Sequence, residues 1–398
     1  MAYENKTMAL ALSGGGYRAT LFALGSLWRL NELGLLKKLD RITSVSGGSI
    51  VLGYLALHWN KLTFDQNDVA TNFKELIVDP LQRFCAKELD IFAAIWGWLS
   101  PWESAGEKVV KIYNKRLFGD AMLQDIAHGE GVPEFIFYAT NYATGSSVRL
   151  TYNELYDYKI GKASNHTISL AQAIASSSAF PPLFSPLIFQ SKDWQWQKTK
   201  YASLYDKQPL RDRVLLADGG LYDNLGIEAI WKTTNQSDGK DSYDLVLVCD
   251  AGAPMEIGFD SEGSSIFSKI IQKLGLKRNF VSQLARMSDI MISQQRALRK
   301  RELIANYIKR VYGGTYWGIA TEISNYSADQ KLADDTMITE TLEKIPTRMT
   351  DFSAQRQAHL INWGYALSDA ALRSYVDKNL ASSNKLPLDA YPLDQEKL

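Results

Sequence analysis

Histidine and cysteine are both scarce in this chain of 398 residues, at four and two copies. The two cysteines, Cys85 and Cys249, lie far apart and make no metal-spacing motif. Cys249, beside the apolar run Leu245 to Val248, reads as a buried free thiol. Net charge is missing as well. The 44 Lys and Arg residues balance 44 Asp and Glu, so bulk electrostatics points to no nucleic-acid polymer as a partner. No apolar run approaches the roughly 20 residues of a membrane-spanning helix. The first residues, Met1 to Thr7, lack a basic stretch followed by a cleavable apolar one. Low-complexity tracts and internal repeats are absent. These absences predict a soluble, cytoplasmic protein whose only membrane contact is peripheral.

What is present is a series of glycine-rich turns after apolar strands. Met8 to Leu12 runs into Gly14-Gly15-Gly16, followed by Leu21, Leu24, Leu27, Trp28 and Leu35 at helical spacing. Arg41 to Val45 runs into Ser46-Gly47-Gly48, with a helix expected from Ile50 to Trp59. Phe135 to Thr140 and Val148 to Tyr152 read as a hairpin around Asn141-Tyr-Ala-Thr-Gly145. Ser169 to Ser178 reads as a helix stopped by Pro181 and Pro182, and Ser191 to Arg213 as a surface excursion. Val214 to Ala217 forms a strand ending in Asp218-Gly219-Gly220. Asn224 to Trp231 is expected to be helical, and Leu245 to Val248 a buried strand ending in Asp250.

Strands alternating with helices predict a three-layer α/β/α fold with a largely parallel central sheet, its functional groups at the carboxyl ends of the strands. A catalytic core is expected over 7–255 and a helix-rich part packed on it over 256–380. An edge strand (Tyr316 to Thr321), helices near Asp334 to Leu342 and Asp351 to Leu380, and a loose tail over 381–398 complete the chain.

A serine hydroxyl is almost never ionised near neutral pH, so it attacks only with a base beside it and donors aimed at the oxyanion. Ser46, at the tip of a strand–turn–helix joint, sits as a nucleophile elbow requires. Ser44 replaces the leading glycine of Gly-x-Ser-x-Gly, and Gly47 and Gly48 follow. The helix after Ser46 would direct free N–H groups toward it, and Gly14, Gly15 and Gly16 would bring more. Arg18 would steady that loop or the oxyanion itself. The same turn also suits an ordinary strand–helix joint. None of the histidines fits as the base. His58 lies roughly 18 Å along the helix from Ser46, His128 and His166 fall in polar connections, and His359 reads as a packed or surface helix residue. Asp218, at a strand end before Gly219 and Gly220, either acts as the base or caps the following segment in an Asx turn. The glycine triplet does not fit a dinucleotide fingerprint, because Ala19 stands where the third glycine belongs and the next strand ends in Ser46 rather than an acid.

Taken in order, Gly14-Gly15-Gly16-Tyr17-Arg18, Ser46-Gly47-Gly48 and Asp218-Gly219-Gly220 resemble the three signatures of the patatin-like phospholipases. Asn141 to Gly145 and Ala175 to Phe184 resemble that family's framework, and the likeness covers about residues 7 to 255. Ser13 stands where an aspartate is usual and Ala19 where a glycine often follows the arginine. The resemblance implies a lipid acyl hydrolase acting on fatty-acyl esters of glycerophospholipids, of phospholipase A or lysophospholipase type, with no metal or other cofactor. It makes Ser46 the nucleophile, Asp218 the base and Gly14 to Gly16 the oxyanion hole. The alternative is a non-catalytic module on the same scaffold that binds a membrane or an anionic ligand.

Two segments bear on partners. Ile91 to Trp102, rich in tryptophan, suits either a contact with a phospholipid membrane surface or a cap over the core. Lys269 to Arg310 carries eleven Lys or Arg against Asp289 and Glu302. That run would attract anionic lipid heads, bind a small anionic regulator or activating partner that gates a membrane-degrading effector, or form a solvated helix face.

Overall fold

A computed structural model describes residues 3–87, 104–181, 184–231, 242–252, 278–345 and 352–394. The aromatic run Ile91 to Trp102 and the basic residues Lys269, Lys273 and Lys277 lie outside them. The described strands are β1 (Met8–Leu12), β2 (Arg41–Ser44), β3 (Glu134–Asn141), β4 (Ser146–Leu150), β5 (Glu154–Asp157), β6 (Gly161–Ser164), β7 (Leu187–Gln190), β8 (Gln195–Gln197), β9 (Arg213–Asp218), β10 (Leu245–Asp250) and β11 (Gly313–Gly318). The helices used below are α1 (Gly16–Glu32), α2 (Gly47–His58), α3 (Leu170–Ser178), α4 (Arg278–Ile308) and α5 (Ala354–Tyr375).

All the strands share one sheet. Its centre is parallel, in the order β11-β10-β1-β2-β3. β4, β5, β6 and β8 extend it antiparallel, and β9 with β7 joins antiparallel beside β3. The fold is thus three-layer and parallel at its centre, and mixed over the whole sheet.

The alternation of side chains along a strand assigns the layers. Met8, Leu10 and Leu12 of β1, with Leu245, Leu247 and Cys249 of β10, join the large core that holds α1 and α5. Ala9, Ala11, Val246 and Val248 face the other way, against Leu225, Ile227, Ile230 and Leu303 of α4. Because β1 and β10 are covered on both faces, they read as continuous apolar runs.

α1 is buried along nearly its whole length because α5 lies across it. The crossing needs glycine. A Cβ on Gly25 would lie 1.9 Å from the Ile361 carbonyl oxygen, and one on Gly364 would lie 2.0 Å from that of Phe22. Arg29 reaches Asp369 at 2.6 Å, and Asp369 also takes Arg373 at 2.7 Å. A buried carboxylate held between two guanidiniums ties the C-terminal part of the chain to the first helix.

Three expectations need correcting. Asn224 to Trp231 is not a helix. A short one spans Gly220–Asp223, and the Asp223 carboxylate then accepts the amides of Leu225, Ile227 and Glu228, in place of a helical ladder. Gly226, at φ +73°, completes the turn. Ser191 to Arg213 is not only a surface excursion, since β8 within it pairs with β6. The chain from Ser382 to Asp394 is not wholly loose: it is anchored at the buried Leu386 and Leu393 and by the Asn362 amide donating to the carbonyls of Leu388 and Tyr391.

Candidate active site

The direction of β9 places the site. On one edge β3 pairs with β4. On its other edge β2 covers Glu134 to Phe137 and β9 covers Ala139 to Asn141. The two strands therefore approach end to end along one edge, β2 from below and β9 from above. Ser44 stands opposite Phe137, which puts Ser46 near the level of Ala139, and Asp218 stands opposite Ala139. Two carboxyl ends far apart in sequence face each other, and the Ser46 hydroxyl lies close enough to the Asp218 carboxyl to favour its ionised form.

Ser46 has φ +51° and ψ −118°, a conformation that costs a non-glycine residue about 1–3 kcal/mol. The turn is tight because its neighbours have no side chains. A Cβ on Gly47 would lie 2.0 Å from the Gly16 carbonyl oxygen, and one on Gly48 would lie 2.6 Å from that of Leu12. The elbow is thereby pressed against the loop that ends β1. In that loop Gly15 has φ +145° and Gly16 φ +58°, both disfavoured for any other residue. A Cβ on Gly14 would sit 3.2 Å from the Ser46 Cβ.

The Gly14 amide donates to the Asn224 carbonyl at 3.0 Å, so it is not free for a substrate. The amides of Gly15, Gly16 and Gly47 have no acceptor among the described residues. They belong to the amino ends of α1 and α2, where orphan N–H groups and the helix dipole favour an anion. The Arg18 guanidinium is fully buried and donates to the carbonyls of Ala251, Glu343 and Ile345. Burial lowers its pKa to about 10, so it stays charged at neutral pH. It braces the support of the glycine loop and does not point at an oxyanion. Ser13 has a related task, accepting the Ala251 amide on its hydroxyl at 2.8 Å.

Asp218 is 3 % exposed, and burial pushes its carboxyl up to about 7 against the opposing pull of the Gly220 amide and the Ser46 hydroxyl. The Gly220 N–H reaches Oδ1 at 2.7 Å, and the Thr140 hydroxyl holds the Asp218 carbonyl at 2.9 Å. Gly219 is required by packing, since a Cβ there would meet the Tyr138 carbonyl oxygen at 2.6 Å. A carboxyl poised near neutrality beside a strained serine can take that serine's proton and return it.

The structure thus brings together Ser44, Ser46, Gly14 to Gly16, Gly47, Gly48, Asp218, Gly219 and Gly220, with Arg18 beside the glycine loop, its Nη2 3.5 Å from where a Gly15 Cβ would be. Among the described residues no histidine bonds to either member of the pair. His58, for example, closes α2 and hydrogen-bonds through Nδ1 to the Tyr54 carbonyl oxygen.

Two residues near the pair carry no prior assignment. The Asn224 side chain lies against Gly14 and Gly220, its Oδ1 2.3 Å from where a Gly14 Cβ would be. The Ser177 hydroxyl accepts the Ser46 amide at 3.0 Å. Asn224 belongs to the segment expected to be helical, and Ser177 is one of three consecutive serines that the sequence does not tell apart. A cleft of about 160 Å³, lined by Asp40, His128, Glu134 and Tyr152 among others, lies at the opposite, amino end of β3 and takes no part in this site.

Compared with models of known families, residues 10–231 match the patatin-like phospholipases. No curated protein sequence is matched. Among solved structures, the chain is similar to human GIVD cytosolic phospholipase A2 in complex with methyl gamma-linolenyl fluorophosphonate. That likeness has 14% identity and a TM-score of 0.47, over 91% of this chain and 57% of that one. It is also similar to VipD from Legionella pneumophila, at 14% identity and a TM-score of 0.35, over 92% and 66%. The chain spans about half the length of the human structures it matches, 48% in one and 57% in two.

Proposed function

Because its sequence from 10 to 231 matches that family's model, the chain belongs to the patatin-like phospholipases, and from this we propose that it is a serine lipid acyl hydrolase working through Ser46 and Asp218. The observation that carries the reading is the meeting of two strand ends, which sets the buried Asp218 carboxyl beside Ser46. The substrates are fatty-acyl esters of glycerophospholipids, cleaved in the manner of a phospholipase A or lysophospholipase.

In the reaction Asp218 accepts the hydroxyl proton as Ser46 Oγ bonds to the ester carbonyl carbon. The carbonyl oxygen becomes an oxyanion, met by the free amides of Gly15, Gly16 and Gly47. One such donor is worth about 3–4 kcal/mol of barrier. As the tetrahedral intermediate collapses, the ester C–O bond breaks and Asp218 gives its proton to the departing alcohol. Water, deprotonated by Asp218, then attacks the acyl-serine, and the second collapse releases the fatty acid and restores the serine. Every proton passes through one carboxyl, so a value near neutrality serves both directions.

The chain works where it meets a membrane surface, and among the described residues no helix is long and apolar enough to cross one. The alternative, a non-catalytic module that presents the basic helix to an anionic ligand, draws less support. Two of that helix's arginines are already paired, Arg296 with Asp250 at 2.6 Å and Arg299 with Glu228 at 2.8 Å. A fluorophosphonate probe separates the readings. Covalent labelling at Ser46, lost in Asp218→Asn, supports the hydrolase; vesicle binding by an active-state preparation without labelling supports the module.

A further inference from the structure

The last turn of α3 touches both halves of the pair through one residue. Ser177 is fully buried. Its hydroxyl accepts the amide of Ser46 at 3.0 Å, and its carbonyl oxygen accepts the amide of Gly219 at 3.2 Å. The next carbonyl but one, that of Ala179, accepts the amide of Asp218 at 3.0 Å. A helix end leaves its final carbonyls without intrahelical donors. Here two of those carbonyls hold the strand end that carries the carboxylate.

The hydroxyl is itself held. Ser177 Oγ lies 2.8 Å from Ser49 Oγ, Ser49 Oγ lies 2.9 Å from Ser44 Oγ, and the Ser44 hydroxyl donates to the Ile136 carbonyl at 3.4 Å. A hydroxyl has one proton to give. With each serine donating toward Ile136, every proton has an acceptor, and the Ser177 oxygen keeps a lone pair turned to the Ser46 N–H. The chain is buried throughout, where such a network fixes geometry more firmly than in water.

Ser46 needs this. Its φ of +51° is strained, and its amide is buried at the bend with no strand partner beyond it. We propose that Ser177 is the positioning residue of the pair, its hydroxyl fixing the nucleophile's main chain while its carbonyl fixes the base's. This rests on the reading of Ser46 and Asp218 as nucleophile and base. It also means that the amide of Ser46 is not an oxyanion donor, which leaves that task to Gly15, Gly16 and Gly47.

The test compares Ser177→Ala and Ser177→Cys with Ser176→Ala. Cysteine keeps the volume but accepts a hydrogen bond only weakly. Ser176 is equally buried, yet among the described residues its hydroxyl bonds only to the Gln172 carbonyl of its own helix. Hydrogen exchange at the Ser46 amide and the rate of fluorophosphonate labelling are read on each folded variant, with kcat, KM and the pH profile on a soluble acyl ester. Both Ser177 variants are expected to lose protection at Ser46 and to lower labelling rate and kcat about 10- to 100-fold. KM and the acid limb of the pH profile should hold, because the Gly219 and Asp218 amide bonds run to main chain and remain. Ser176→Ala should match the wild type in every readout. Wild-type protection and labelling in both Ser177 variants would overturn the proposal, as would an equal loss in Ser176→Ala. If wild-type protein takes no probe at all, the hydrolase reading fails, and the exchange result still decides the clamp.

Discussion

Replacing Asp218 with asparagine should abolish turnover and at the same time make the folded protein more stable above neutral pH. The carboxyl ordinarily ionises at 3.8, and burial raises it to about 7 in the fold. Between those values the folded chain holds a proton that the unfolded chain has released. The contribution of Asp218 to stability is therefore fully present below about 4 and is lost as pH rises through about 7. Three pKa units at about 1.4 kcal/mol each give a ceiling of ~4 kcal/mol for the cost of burying the charge. Asparagine keeps an Oδ1 to accept the Gly220 amide and carries no charge at any pH. Its expected advantage is about 2–4 kcal/mol at pH 8 and close to zero at pH 4. Denaturant unfolding of both proteins at the two pH values measures the difference. A carboxyl held in its ionised form by its contacts would behave in the opposite way, since neutralising it removes a favourable interaction. A variant less stable than wild type at pH 8, or a difference that does not change with pH, would refute the reasoning. The arrangement is a trade of stability for activity at a single residue.

Three further outcomes follow from other contacts. The value of kcat/KM should rise with pH along an acid limb with an apparent pKa of about 7, because only the ionised Asp218 can accept the serine proton; a flat profile from pH 5 to 8 on a soluble ester contradicts that. Gly15→Ala meets both a φ of +145° and the Ala251 carbonyl oxygen 2.9 Å from the new Cβ, so kcat should fall about 10²–10³-fold as an oxyanion donor is displaced. Steady-state kinetics, with unfolding as a control, checks it. Arg296→Met strands the buried Asp250, which burial alone would push up and which Arg296, Tyr316 and the Gly252 amide hold below its ordinary value. The expected loss is about 3–5 kcal/mol, read by thermal unfolding at pH 7 and shrinking as pH falls and the carboxyl is neutralised.

How much of this was legible in the sequence depends on what kind of force decides each part. β1 carries its instruction in apolar residues and appears at Met8–Leu12, as its pattern foretells. The glycine turns are legible because tight packing leaves no other residue, as at Gly47 and Gly219. The direction of β9 is not legible. Arg213–Asp218 is as apolar as a parallel strand would be, and its pairing is settled by an edge of β3 that β2 leaves open. Asn224 to Trp231 misleads because its apolar spacing suits a helix, while Asp223 offers the backbone a competing acceptor. Short polar strands such as Gln195–Gln197 carry no alternation to read. Arg18 next to the glycine triplet suggests a charge for the oxyanion, yet helix geometry turns it toward the carbonyls of Ala251, Glu343 and Ile345. Ser177 stands among Ser176 and Ser178, and only the fold distinguishes the hydroxyl facing Ser46 from its neighbours.

The most direct test of the central claim is fatty-acid release from phospholipid vesicles by wild-type protein and by Ser46→Ala at matched folded concentration. The account expects release by the wild type and none above background by the variant, with its unfolding curve otherwise preserved. Equal release by the two proteins would contradict it.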